Sequence, residues 1–333
     1  MLNDDAFDLR RYVSRNSQSV AVWIALGALI LFGVLRYENF GGAYNFSSFL
    51  NYNSMFIVIS LGMCFVIITG GIDLSVGSVA AFSSVIAAYL SPFGLQVALP
   101  LAVVVGMMFG AFNAFCIIQL RIPPFIATLA TMLGAKGGAL VISGASTVAV
   151  DWGSNFTRMG MEKAFGLFPW SIVIVAIVGI LLWVILETTS LGRTILAIGG
   201  GEDASVLMGL KVNRAKAFVY IVSGGCAGVA GVILASGFGA GQPLEGIAWE
   251  LSAIAAVVVG GTLLTGGLGS IPATVAGALL LGLVFNILNF ENGRGSISFS
   301  AYWQMVIRGG FLFAVIMFQT RMMKAQNTKG KTA

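Results

Sequence analysis

Residues 171–186 read SIVIVAIVGILLWVIL, an apolar run that would leave no charged residue on any face of a helix. A transmembrane β-strand alternates apolar and polar residues over about ten positions, so this run disfavours a β-barrel and indicates a membrane-spanning α-helix. The whole chain of 333 residues has the same character. It is 58% hydrophobic and only 9% charged, whereas soluble domains carry roughly a quarter charged residues. The composition excludes the soluble classes and predicts an all-α polytopic membrane protein.

Apolar windows bounded by polar, Gly or Pro residues predict about ten membrane-spanning helices. They leave a polar N-terminal arm, 1–19, and a basic C-terminal tail, 320–333, on either side of a transmembrane domain, 20–319. The second and third segments could also form one broken element. The predicted segments are 20–36, 52–69, 75–90, 96–118, 124–142, 168–186, 215–235, 250–264, 271–290 and 302–319.

The distribution of Lys and Arg predicts that both termini face the cytosol. With ten helices and an inside N-terminus, twelve of the 18 basic residues lie inside, four lie outside and two fall within helices. An excess of basic residues on the cytosolic side is the usual arrangement in membrane proteins. The net charge of +5 is therefore explained by topology, and no nucleic-acid partner is predicted.

Glycine is frequent, with 44 residues, and several glycines recur four positions apart. Small residues at this spacing let helix backbones approach each other closely, which favours helix association in lipid. The spacing predicts a compact bundle and no particular activity. The pairs are Gly106/Gly110, Gly134/Gly138, Gly224/Gly228 and Gly237/Gly241.

The chain contains no histidine, which excludes Ser–His catalysis, imidazole-ligated metals and histidine proton relays. Its three cysteines lie within apolar runs, where a thiol behaves as a small hydrophobe, so no disulfide framework is predicted. Residues 329–332 resemble the end of a P-loop, but Ala325 stands where that motif needs glycine and no strand precedes it. We predict no catalytic residue and no metal or nucleotide site in this chain.

Asp73 is the most conspicuous carboxylate, because it lies in GGIDLSVGS, 70–78, beside a predicted membrane helix. A charge at the bilayer centre costs about 2.5–3.5 kcal/mol on insertion scales, so such a residue should be paired, cap a helix or lie near an interface. Asp73 or Ser75 could accept hydrogen bonds from the free amides at the start of the third helix. A role in gating or a substrate contact is the alternative.

Several other carboxylates fall on the predicted outer side. The loop 143–167 carries Asp151 and Glu162, and Glu245 and Glu250 lie near the outer end of the eighth helix. Exposed carboxylates at these positions could bind a basic surface of an external partner, or they could simply be solvated.

The long inner loop, 187–214, contains a glycine-rich bend followed by Glu202 and Asp203. Acidic side chains favour the N-terminal end of a helix dipole, so Glu202 and Asp203 are predicted to start a short amphipathic cytosolic helix that continues through the apolar stretch 204–210. A solvated connector is the alternative interpretation of the loop.

Several separated blocks resemble the permease subunits of bacterial ABC importers for monosaccharides, of the ribose, xylose and galactose type. In order and spacing the match spans roughly residues 45–320. Ser252 stands where the family often has Asp. Any role of that Asp carboxylate in gating or sugar passage is therefore not assigned to this chain. The blocks are GGIDLSVGS at 70–78, AIGG at 197–200, EDA at 202–204, GLKV at 209–212, ELSAIAAVVVGGT at 250–262, GGLGS at 266–270 and AYWQ at 301–304.

The resemblance implies a type II-like permease bundle in the bacterial inner membrane, without an ATPase site of its own. Its partners would be a second permease subunit, identical or paralogous, a periplasmic sugar-binding protein, and an ABC ATPase that binds ATP and Mg. The alternatives are a branched-chain amino acid or nucleoside permease of the same superfamily, and an ion-coupled carrier that uses Asp73. The candidate residues are Glu202, Asp203, Ala204, Leu207, Met208, Gly209 and Leu210 for ATPase coupling, Asp73, Ser75, Glu250 and Ser252 for the pathway or gating, and Asp151, Glu162 and Glu245 for docking of the binding protein.

Overall fold

The computed structural model describes residues 17–164, 166, 168–293 and isolated helical positions between 303 and 317. In this part of the chain, seven helices are long and apolar enough to cross a membrane, and two shorter apolar helices accompany them. The helices are α1 (Ser17–Arg36), α2 (Ala43–Ile68), α3 (Val76–Leu90), α4 (Leu95–Ile118), α5 (Pro124–Ser143), α6 (Arg158–Met161), α7 (Trp170–Thr188), α8 (Ser190–Gly200), α9 (Glu202–Leu207), α10 (Val212–Phe238), α11 (Trp249–Val259) and α12 (Ile271–Gly293).

The prediction of an all-α membrane protein is confirmed, and nine of the ten predicted segments coincide with a helix. Two boundaries were wrong: the second helix begins at Ala43 instead of 52, and the eighth ends at Val259 instead of 264. The tenth segment, 302–319, and most of both terminal arms lie outside the fully described residues. Short strands add two antiparallel pairs, in which β1 (Val148–Ala149) pairs with β4 (Ala240–Gly241) and β2 (Lys163–Ala164) pairs with β3 (Phe168–Pro169).

Helix α10 forms the centre of the bundle and packs against α4, α3 and α2. Glycines make the closest approach possible: a Cβ atom at Gly106 or Gly110 would collide with the carbonyl oxygens of Gly224 and Tyr220. This confirms two of the predicted pairs, Gly106/Gly110 and Gly224/Gly228, as contact faces. Gly134 instead faces open space. The core is therefore held by backbone-to-backbone packing, which suits a protein that gains little from the hydrophobic effect in lipid.

Two helices begin inside the bundle instead of at its ends. The segment 69–75 turns back after α2, and α3 starts level with Ser223, near the middle of α10, as the hydrogen bond from Ser223 to Asp73 shows. The segment 240–248 runs beside α3, and the carbonyl of Gly246 packs on Gly77, so α11 also starts in the interior. Both helices therefore place an N-terminus, with its free amide groups, within the bundle.

Candidate functional site

Asp73 is the centre of a buried polar network at the start of α3. Its Oδ1 accepts hydrogen bonds from the amide of Ser75 at 3.0 Å and from the Ser75 hydroxyl at 2.6 Å, and its Oδ2 accepts from the Ser223 hydroxyl at 2.8 Å. The side chain is 1% exposed. The carboxylate thus binds the residue that precedes α3, while the Ser75 side chain makes no cap to the helix amides.

The network extends from Ser75 into two further helices. Asn113 on α4 donates to the Ser75 hydroxyl at 3.0 Å, and Thr131 on α5 donates to the Asn113 carbonyl oxygen at 2.6 Å. Tyr220 on α10 is fully buried, and its hydroxyl, which lies against Gly71, has no hydrogen-bond partner among the described residues. The arrangement fixes the start of α3 to α4, α5 and α10 through side-chain hydrogen bonds.

Helix α9 and the turn after it protrude from one end of the bundle, which we call the α8–α9 end. The predicted short helix with Glu202 and Asp203 at its start is confirmed, because α9 covers Glu202–Leu207. Its predicted end was wrong, because Met208, Gly209 and Leu210 form the turn that follows. Gly209 has a φ angle of +75°, a conformation that glycine adopts without strain.

The surface of α9 has an acidic start and an apolar tip. Leu207 is 89% exposed, Met208 is also exposed, and Asp203 points to solvent with Ala204. Glu202 accepts hydrogen bonds from Lys216 at 3.0 Å, which ties the start of α9 to α10. Exposed apolar side chains on such a projection are typical of a protein interaction site.

A second feature of the α8–α9 end is a close contact of three backbone segments, which we call the glycine junction. A Cβ atom at Gly199 in α8 would collide with the carbonyl oxygen of Ile68, the last residue of α2, and with the amide of Gly267. That amide donates to the Ile68 carbonyl at 2.9 Å. Gly266 and Gly267 both have positive φ angles, +86° and +83°. The junction therefore links α8 directly to α2 and to the loop between α11 and α12.

The remaining pathway candidates lie around the start of α11. A carboxylate oxygen of Glu250 is 3.2 Å from the position that a Cβ atom of residue 77 would occupy, so this half-buried acid lies beside the first turn of α3. Ser252 lines a cavity of about 420 Å³ formed by α2, α11 and α12. The structure thus brings Glu250 close to the start of α3 and places Ser252 on a separate surface.

The three docking candidates do not form one surface. Asp151 and Glu162 are exposed at the end of the bundle opposite α8 and α9, where Asp151 accepts from the amide of Gly153 at 3.0 Å and Glu162 pairs with Arg158 at 3.4 Å. Glu245 is also exposed, but it lies on the segment 240–248 that runs beside α3. Its backbone carbonyl accepts a hydrogen bond from Lys136 at 3.0 Å.

Sequence reasoning placed Lys136 within a helix but gave it no partner. The charged side chain on α5 fixes the segment 240–248, which leads into α11, at the level where that segment contacts α3. A lysine within a membrane helix was the only signal in the sequence that could have indicated such a role.

Comparison with known proteins finds relatives that match most of the chain. The chain is 36% identical to a ribose import permease protein of Haemophilus influenzae over 300 residues, which cover 89% of this chain and 91% of the relative. It is also 36% identical to an L-arabinose transport system permease protein of Escherichia coli, covering 92% and 94% of the two chains, and 34% identical to a ribose import permease protein of Bacillus subtilis, covering 91% and 93%. No solved structure matches the chain.

The family described as "Branched-chain amino acid transport system / permease component" matches residues 45–316, from the first turn of α2 to beyond α12. The match includes the Asp73 network, α9, the glycine junction and the cavity. The chain therefore belongs to this family of transport permease components.

Proposed function

We propose that the chain is the membrane-spanning subunit of an ATP-driven importer of a monosaccharide. The names of its relatives, which are ribose and L-arabinose permeases, support this class of substrate. The geometry of the α8–α9 end is the observation that supports coupling to an ATPase. Leu207 of α9 and Met208 of the turn after it are exposed to solvent, while α8 contacts the bundle through the glycine junction. A partner that moves α9 would thereby act on α2 and on the loop before α12.

The basic residues at one end of the bundle support an orientation with the α8–α9 end in the cytosol. Arg121, Lys211, Arg214 and Lys216 lie at the α8–α9 end, and the positive-inside tendency favours the cytosol for that end. In this orientation ten spans place both the arm 1–19 and the tail 320–333 in the cytosol, and the membrane is the bacterial inner membrane.

The partners bind at opposite faces of this subunit. An ABC ATPase binds α9 and holds ATP and Mg, so this chain contributes no nucleotide site. ATP favours the closed ATPase pair, and α9 transmits that preference to the bundle as a difference in affinity between two conformations. A periplasmic sugar-binding protein docks at the opposite end near Asp151 and Glu162. A second permease subunit completes the pathway.

The test is copurification of the tagged chain with the products of its neighbouring genes, followed by ATPase and uptake assays in proteoliposomes. We expect a complex whose ATP hydrolysis increases with one loaded binding protein and whose uptake responds to D-ribose, L-arabinose or a related sugar. A chain that purifies alone and moves solute under an ion gradient without ATP would contradict the proposal. In that case the carrier alternative, with Asp73 as its ionisable group, would replace it.

The family description names branched-chain amino acids, which makes an amino acid importer the second candidate. L-leucine and its matching binding protein therefore belong in the same assay. Stimulation by leucine and not by any sugar would favour this candidate.

A further inference from the structure

The cavity beside Ser252 combines aromatic walls with uncharged polar groups. Tyr52 and Phe56 of α2 supply ring faces, and Asn53, Ser252 and Asn286 supply amide and hydroxyl groups. None of the described residues that line it is charged. Its volume of about 420 Å³ lies within the range of small-molecule sites, which is about 300–1,000 Å³.

The polar side chains around the cavity are held in place by the framework. Asn53 donates to the carbonyl of Phe49 at 2.8 Å, and its carbonyl oxygen occupies the space that a side chain at Gly282 would need. Asn286 exchanges hydrogen bonds with Asn45 at 3.0 and 3.3 Å. Fixed amides of this kind lower the entropic cost of binding a ligand.

Two of the elements that form the cavity also reach the glycine junction. Helix α2 lines the cavity with Tyr52 and Phe56 and ends at Ile68 in the junction, while the α11–α12 loop reaches the junction with Gly267. The cavity lies in the half of the bundle remote from α8 and α9. A displacement of α8 would therefore move two of the elements that form the cavity.

We propose that this cavity is a transit site for a neutral monosaccharide on its way across the membrane. The assignment rests on the proposed function and adds the location and chemistry of the site. Sugar hydroxyls need both donors and acceptors, which amides and hydroxyls provide, and the apolar faces of a sugar ring pack on aromatic rings. A zwitterionic amino acid would need charged or strongly polarised partners for its ammonium and carboxylate groups, and the described lining supplies none.

The test uses the complete complex, free of nucleotide, with one cysteine introduced at a time. The three native cysteines of this chain are buried, so the wild-type complex measures the background labelling. The Ser252→Cys variant reports on the cavity. If it folds poorly, the Ser48→Cys variant takes its place, because Ser48 lines the same cavity. Ile180→Cys is the matched control, because Ile180 is 61% exposed on the apolar outer face of α7. The probe is the charged reagent 2-sulfonatoethyl methanethiosulfonate, which requires a thiol that water can reach.

We expect labelling at position 252 to be at least about tenfold faster than at position 180, because only a hydrated thiol ionises and reacts. D-ribose or L-arabinose should slow it saturably, by about tenfold at ten times the half-maximal concentration, while L-leucine has no effect. Equally slow labelling at 252, 48 and 180 would overturn the proposal, as would fast labelling that no sugar slows, or protection by leucine alone.

The two proposals fail in distinguishable ways. If wild-type proteoliposomes take up the sugar with ATP while the thiols introduced by Ser252→Cys and Ser48→Cys remain unprotected, only the transit site is refuted. If the wild-type complex takes up no sugar at all, the proposed function itself is refuted.

Discussion

Substitution of Gly199 by alanine is the sharpest test of the glycine junction, because the next residue provides its own control. The added methyl group would meet the Ile68 carbonyl oxygen and the Gly267 amide, both backbone atoms, and would lie 2.8 Å from the Gly267 Cα. At Gly200 a methyl group would meet nothing within 4 Å. Of two adjacent glycines in one helix, only Gly199 is therefore expected to be sensitive to substitution by alanine.

The magnitude for Gly199→Ala combines two costs. Overpacking of a tight contact costs typically about 1–3 kcal/mol, and separation of the two segments also weakens the hydrogen bond from Gly267 to Ile68, worth about 0.5–1.5 kcal/mol. We expect the free energy of unfolding to fall by about 2–4 kcal/mol. Gly200→Ala should stay within about 0.5 kcal/mol of the wild type, because alanine suits a helix and touches no neighbour.

The assay is thermal unfolding of both variants in detergent, together with ATP-driven uptake by the reconstituted complex. Gly199→Ala should melt earlier and lose uptake relative to its ATPase activity, because α8 can no longer lie against α2 and the α11–α12 loop. Gly200→Ala should match the wild type in both measurements. Equal melting and equal uptake for the two variants would refute the assignment of the junction as a mechanical link.

Four further outcomes follow from the side chains described above. Leu207→Asp should leave the melting temperature within error, since the side chain is 89% exposed, but should prevent copurification with the ATPase. Gly209→Pro should let ATP hydrolysis proceed without uptake, because proline cannot adopt a φ angle of +75°; normal coupling would contradict the role of α9. Asp73→Ala should cost at least about 1–3 kcal/mol in thermal or denaturant unfolding, because buried donors lose their acceptor. Tyr220→Phe should be neutral or stabilising in the same measurement, because its hydroxyl has no partner in the described structure.

Hydropathy and residue spacing predicted most of the helices, and particular residues explain where they failed. The start of α2 was missed because Asn45 and Asn51 interrupt the apolar pattern. These amides are satisfied by partners distant in sequence, Asn286 on α12 and Ser171 on α7. The predicted helix 250–264 was too long, because Gly260 and Gly261 lie within an apolar run that reads as helix. In the structure Gly261 has a φ angle of +91° and turns the chain.

For the sites, too, features that depend on neighbouring residues were predictable, and contacts between distant residues were not. The acidic start of α9 and the helix-proximal position of Asp73 were evident from the local sequence. The hydrogen bond from Ser223 to Asp73 joins residues 150 positions apart, and the cavity is formed by helices from both halves of the chain. No local pattern predicts such contacts, because they depend on how the helices pack.

The central position of α10 has a consequence for how the protein is made. Helices α2, α3 and α4 are all synthesised before their common partner, and at about 5–20 residues per second the ribosome needs on the order of 10 s to proceed from Ile118 to Phe238. During that interval Gly106 and Gly110 have inserted into the bilayer without the glycine face that they contact in the finished protein. We expect a nascent chain that stalls before Val212 to be a preferred target of membrane quality-control proteases, since its earlier helices cannot yet close into a core.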